Sequence, residues 1–309
     1  MTIDARAGHR RRLRRFFRHR LAVIGLGIMT TVAGLALFAD HIGPRSPTAQ
    51  QILLRLKPPG FADPRSGKVA WLGTDHLGRD ILSRIIHGSR VSLVISLPAV
   101  VVSALLGMTL GLLAGYHGGA IESVVMRCVD LQLAFPFILL ALSIVALMGP
   151  SLRNIIIVFA ITTWPVYART TRGVVLALRA QEFVQAARSL GASDQRILWR
   201  HVAPGVVSPV LVLASFEVAR MIILEAALGF LGLGVPPPTP TWGSMLADGR
   251  DYLRDAWWIA AFPAANLRAD SSRKERDSPS ALGSSDHPTC SCAAGFEPGL
   301  VLDPFLAST

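Results

Sequence analysis

The residue types that do chemistry are present in this chain but are not gathered. Of 309 residues, 8 are His and 3 are Cys, and no Ser/His/Asp arrangement or metal-ligand spacing brings them together. Cys128 falls in or near an apolar stretch, where a small packing residue is expected. Cys290 and Cys292 form an isolated C-x-C, whereas a structural zinc site takes about four ligands. The nearest approach to a phosphate-cradling loop is Gly67-Lys68, but Ala62 stands where its first glycine belongs and Val69 where its Ser or Thr belongs. The sequence therefore offers no enzyme active site, no metal site and no ATP site of its own. What remains is charge in apolar surroundings, at Glu217, Arg220 and Glu225. Such charges are costly in a membrane and face a bundle interior or water. Glu217 and Arg220 stand at i,i+3 and can neutralise each other. Glu225 has no in-chain partner at helical spacing, which makes it a candidate for a translocation path or an inter-subunit contact, with structural pairing as the alternative.

The elements that must hold these residues are long apolar runs. Half of the chain is hydrophobic (51%), 17% is charged, and mean hydropathy is +0.45, where a soluble domain carries about 25% charged residues. The fold class expected is an all-α, polytopic membrane helix bundle. Net charge is +11, but the basic residues sit between apolar runs, so the expected partner is a lipid bilayer and not a nucleic acid. A basic segment, residues 1–20, precedes a first run at 21–39. That run is longer than the ~7–15 apolar residues of a signal peptide. It reads as an uncleaved first helix with a cytoplasmic N-terminus. A polar segment, 40–90, follows outside. Further runs begin near Val91, Glu122, Asn154 and Val206, the last closed by Pro236-Pro237-Pro238. Arg127 and Asp130, at i,i+3, are a possible pair. Gly107, Gly111 and Gly115 share one helix face, where a neighbouring helix can approach closely; ordinary glycine enrichment of membrane helices is the alternative.

Four crossings from an inside N-terminus return segment 169–204 to the cytoplasm, and its arginines (169, 172, 179, 188, 196 and 200) agree with that side. The segment reads as two short helices broken near Gly191, with Ser193 as N-cap of the second and Pro204 as its stop. Ala186 and Ala187 make a small-residue surface that another protein can approach. A helix–turn–helix outside the membrane, tied to a span at each end, is placed to pass on rigid-body motion.

This segment resembles the EAA loop of ABC importer permeases. That pattern is Glu-Ala-Ala, three residues, Gly, nine residues and Ile-x-Leu-Pro. Gln185 takes the Glu position; Ala186, Ala187, Gly191 and Pro204 match; His201 and Ala203 replace the Ile and Leu. The stretch from Leu72 to Arg84 and the stretch from Leu228 to Leu246 are similar to signatures of the dipeptide/oligopeptide/nickel branch, in the right order. The resemblance implies a permease subunit for peptides or a related small solute, partnered by a second homologous permease subunit, two ATP-binding subunits and an extracytoplasmic solute-binding protein. It implies that ATP is used by partner chains, with no cofactor bound by this one. It implies an ATPase-coupling interface at Glu182, Gln185, Ala186, Ala187, Arg188, Gly191 and Pro204.

The family pattern also implies a sixth helix after Trp257. Only about ten apolar residues follow, 256–265, too few to cross ~30 Å, and 264–309 turns rich in Ser, Pro, Asp and Arg with no periodicity. The expectation is five full spans, a truncated sixth (the permease core being 91–263) and a disordered tail, either frame-shifted or genuinely divergent. Two alternatives to a working permease follow: a non-functional remnant, or a membrane scaffold or channel without ATP coupling.

Overall fold

In the computed structural model the described residues are 30, 34–64 and 67–277, with side chains described to 267. The basic segment 1–20, most of the run 21–39, Cys290, Cys292 and the tail beyond 277 lie outside the described residues. The architecture is an all-α bundle. In chain order, a short helix α1 (Ala39–Ile42) leads into a small collar that holds a two-residue hairpin, β1 (Phe61–Ala62) and β2 (Val69–Ala70). Then come α2 (Ile81–His117), α3 (Gly119–Ala134), α4 (Phe137–Met148), α5 (Leu152–Arg179), α6 (Glu182–Ser189), α7 (Asp194–Ile197), α8 (Ala203–Phe230), α9 (Trp242–Arg250) and α10 (Trp258–Asp277).

Local sequence sets these limits. The Asp80 carboxylate accepts from the Ser83 N–H at 2.8 Å and starts α2 ten residues before the apolar run at Val91. Ser151 caps α5, and the Asn154 side-chain amide closes the α4–α5 turn by donating to the carbonyls of Met148 and Gly149. The run that begins at Glu122 is not one straight helix. It bends by 89° at Phe135-Pro136, because proline has no N–H to donate and pushes the residue before it out of helical geometry.

Among the described residues two helices are long and apolar enough to cross a membrane, α2 and the continuous rod Asp194–Phe230, and the bent pair α3–α4 makes a third if counted as one span. α5 has 28 residues, about 42 Å at 1.5 Å per residue, but it carries Arg153, Arg169, Arg172 and Arg179. The apolar part of α10 covers only Trp258–Leu267. Pro204 does not end the helix that starts at Asp194. Residues 198–202 form a π-turn leading straight into α8, and this wider winding accommodates the proline's missing donor.

The bundle's spine is α2 against α5. Gly107 faces the Trp164 carbonyl and Tyr167, Gly111 faces Ala168 and Thr171, and Gly115 faces Val175. A Cβ on Gly111 would lie 2.6 Å from the Ala168 oxygen, and one on Gly115 2.9 Å from the Val175 Cβ. Both partners rise in number together, so the two helices run in the same direction. Side chains at four-residue spacing would hold them apart, and glycine lets the backbones meet. Outward, α2 shows Val94, Leu97, Val101, Val102 and Leu105, and α8 shows Leu211 and Val212, the surface expected where the solvent is hydrocarbon.

Candidate functional site

The predicted interface residues lie at one end of the bundle, on α6 and the turn after it, except Pro204, which lies in the first turn of α8. Val184, Ile197, Leu198 and Val202 are buried with Leu112, Tyr116 and Val175, so the apolar positions of the segment bind it to α2 and α5. What is left faces outward. Glu182, Gln185, Ala186, Arg188, Gly191 and Pro204 are exposed and Ala187 is half-buried. On the same segment as Ala186 stand three large exposed apolar side chains: Phe183, Trp199 and Leu190, the last 88% exposed. They lie in a segment too polar to be buried in hydrocarbon, and exposure of this kind is what protein-binding surfaces show.

The turn at Gly191 has a definite geometry. The Gly191 N–H donates to the Arg188 carbonyl at 3.0 Å and the Ala192 N–H to the Ala187 carbonyl at 3.1 Å, with Gly191 at φ +82°. This pair of bonds is a Schellman ending of α6. A Cβ on Gly191 would meet nothing within 4 Å, so the left-handed backbone, not space, demands glycine here. Ser193 stands at the N-cap position of α7 without a side-chain capping bond. Gln185 donates weakly to the Ala180 carbonyl at 3.3 Å. Arg188 is already engaged within the chain: it reaches Asp194 at 3.4 Å and the Tyr116 hydroxyl at 3.5 Å. The Tyr116 hydroxyl itself donates to Asp194 at 2.6 Å. Sequence reasoning misses both Tyr116 and Asp194, because 78 residues separate them and no local pattern links them.

The charges within the helices pair in part across helices and in part with their sequence neighbours. Asp130 meets Arg169 on α5, not Arg127, and Arg172 Nε donates to Glu122 at 2.6 Å. The i,i+3 spacing of Arg127 and Asp130 loses to a cross-helix partner because α3 packs antiparallel along α5. Arg220 does bind Glu217, with both carboxylate oxygens 3.2 Å away, and lies over the Phe137 ring. Glu225 is 1% exposed and accepts from Ser92 at 3.1 Å. It is closed off from solvent at the junction of α8 with α2, so a path role requires a conformation in which that junction opens.

The opposite end of the bundle holds a second construction that the motif from Leu72 to Arg84 builds. Asp75 accepts from the Arg79 backbone at 2.9 Å, from Arg79 Nε at 2.6 Å and from Arg84. Both arginines extend to Asp248 on α9. Burial opposes ionisation of Asp75, but Arg84 and Arg79 outweigh it and hold the carboxyl below the usual carboxylate range. Thr74 ties Leu54 and Lys57 to this knot, and Trp258 of α10 donates to the Thr74 carbonyl at 3.3 Å. The motif is a joint between the collar, α2, α9 and α10.

Similar proteins fit this arrangement. Residues 107–265 match the family described as binding-protein-dependent transport system inner membrane component. Residues 10–59 match the N-terminal transmembrane domain of oligopeptide transport permease C. The di/tripeptide transport system permease protein of Pseudomonas aeruginosa is 42% identical over 252 residues, 82% of this chain and 83% of that one. The glutathione transport system permease protein of Pectobacterium atrosepticum is 42% identical over 81% of each chain. The dipeptide transport system permease protein of Haemophilus influenzae is 35% identical over 85% of this chain and 92% of its own. A helix bundle with two glycine-welded helices, an exposed helix–turn–helix at one end and identity of this extent over four-fifths of the chain make this a multi-pass inner-membrane permease subunit, and the chain belongs to the binding-protein-dependent ABC transport permeases of the dipeptide/oligopeptide type.

Proposed function

We propose that this permease takes its drive from ATP-binding subunits through residues 182–204, and that its solute is a short peptide or a related small molecule. The observation that carries the reading is the outward face of α6. Ala186 presents a low, approachable surface, with Ala187 half-buried beside it, on a segment that also exposes the apolar side chains of Phe183, Leu190 and Trp199. The segment's other apolar residues are already buried against the bundle, so a push on α6 is passed to the spans and not absorbed by a loose loop. In this reading the segment is cytoplasmic, the N-terminus is cytoplasmic and the collar is external. The full assembly holds one further permease chain, two ATP-binding chains and an external solute-binding protein. Glu182 is the outward carboxylate for a polar contact with the ATP-binding chain.

The experiment is affinity capture of the ATP-binding subunits by the tagged permease, co-expressed with its partner chains. Ala186→Arg places a long charged side chain on an exposed site, where substitutions cost within about 0.5 kcal/mol of folding stability. Captured ATPase should fall at least tenfold while the amount of folded permease holds. Equal capture by the variant and the unmodified chain would remove the reading.

A second reading rests on α10. Its apolar part spans Trp258–Leu267, about 15 Å of helix against ~30 Å of hydrocarbon. This favours a truncated subunit whose sixth crossing is broken. Reading the encoding DNA over codons 255–309 in all three frames tests it. Recovery of about 20 apolar residues in another frame identifies a frame shift, and no such run identifies an authentic divergent end.

A further inference from the structure

Three residues from separate parts of the chain meet at one point on the loop-bearing end. Tyr116 is the penultimate residue of α2 and is 5% exposed. Its hydroxyl donates to Asp194 Oδ1 at 2.6 Å, and Arg188 Nη2 reaches both, at 3.4 Å from Asp194 and 3.5 Å from Tyr116. The Tyr116 carbonyl accepts from Arg179 Nη1 at 2.9 Å, which ties in the last residue of α5. Arg188 lies in the last turn of α6 and Asp194 opens α7. The node therefore straddles the Gly191 turn and fixes both of its flanks to the end of α2.

We infer that Tyr116, Asp194 and Arg188 are positioning residues that carry displacement of the 182–204 segment onto α2. This deepens the preceding proposal and rests on it, since the displacement must come from a docked ATP-binding subunit. The coupling is mechanical. The apolar contacts beneath the segment are non-directional and let surfaces slide, whereas a charge-assisted hydrogen bond fixes distance and angle. The Tyr116–Asp194 bond is the short link between the segment and α2. From there α2 has no slack against α5, because Gly107, Gly111 and Gly115 put the two backbones in direct contact. A displacement entering at Asp194 therefore moves α2 and α5 together. Without the node, the segment can still dock but turns about its apolar anchor.

The test uses the complete complex in lipid, with ATP and vanadate as the trapping probe. Spin labels at Val102→Cys on α2 and Leu211→Cys on α8, both exposed positions, report the motion of the spans. A label at Leu190→Cys, measured against a labelled ATP-binding subunit, reports docking. In the otherwise unmodified complex, trapping shifts the α2–α8 distance. Tyr116→Phe keeps the ring and deletes the hydroxyl; it should leave the docking distance unchanged and cut the shifted fraction about tenfold, the worth of one charge-assisted hydrogen bond. Asp194→Ala removes the same bond together with the longer Arg188–Asp194 contact and should cut the fraction at least as far, and the double variant should be little worse than Asp194→Ala, because the Tyr116–Asp194 bond is already gone in each. Should one single variant fail to assemble, the other is read by the same measure. A shifted fraction equal to the unmodified complex, with docking retained, overturns the inference and leaves the docking reading standing. Loss of docking in the unmodified complex overturns the docking reading, and this inference with it.

Discussion

The two ends of the bundle solve opposite problems. In the collar, Asp75, Arg79 and Arg84 are charged and buried, each 6% exposed or less, and they are joined to one another and to Asp248. On the 182–204 segment the polar residues are exposed, and three large apolar side chains stand out from the same segment as Ala186. The collar satisfies its interactions inside the chain, and the segment keeps a face in reserve. A buried ion network is intolerant of loss, while an exposed docking face tolerates substitution in the isolated chain and shows its cost only when a partner is present.

The largest expected effect breaks the collar. Asp75→Ala leaves two buried guanidinium groups without their main counter-ion and should cost about 3–5 kcal/mol, read as a lowered unfolding temperature of the detergent-solubilised chain. Ala186→Arg on the same measure should change little. Next is the α2–α5 weld. Gly111→Leu forces its side chain against the Ala168 carbonyl and Thr171 and should cost about 3 kcal/mol. A stability like that of the unmodified chain would show that α5 moves aside without penalty. Smaller again is Gly191→Ala, where the φ of +82° costs an L-residue about 1–2 kcal/mol. That loss should appear as faster amide exchange confined to 182–197, not as global unfolding.

The smallest effect is a pH dependence of the collar. The Asp75 pKa is held below its ordinary value, so the unfolded chain binds this proton more readily than the folded one. The stabilisation is then complete above about pH 4, the ordinary carboxyl range, and declines as pH falls through the lowered folded value. Protection of the collar amides from exchange should weaken with acid in the unmodified chain, and Asp75→Asn should abolish that dependence. A dependence that survives the substitution would assign it to another carboxylate.

Legibility in the sequence follows the range of the interaction. The Schellman turn at Gly191 and the glycine face of α2 are written in local spacing and can be read from it. The rod 194–230 cannot, because the π-turn that carries Pro204 has no simple sequence mark. The full length of α5 is hidden by Arg169 and Arg172, whose charges are answered by Asp130 and Glu122 from α3; polarity along one helix does not reveal its neutralisation by another. The break at Phe135-Pro136 carries its own proline signal, and the apolar residues on both sides mask it. The motif from Leu72 to Arg84 is visible as a signature, but its role as a joint depends on Asp248, far along the chain. Tyr116 and Asp194 are beyond any local reading for the same reason.

In the function proposed above, residues 182–204, and not the collar, meet the ATP-binding subunits. The most direct measurement of that contact is site-specific cross-linking in the native membrane from a cysteine at Ala186→Cys, compared with one at Ile52→Cys, an exposed collar position. A covalent adduct with an ATP-binding subunit is expected from position 186 and none from position 52. An adduct from position 52, or none from position 186 in a complex that hydrolyses ATP, would contradict the proposed contact.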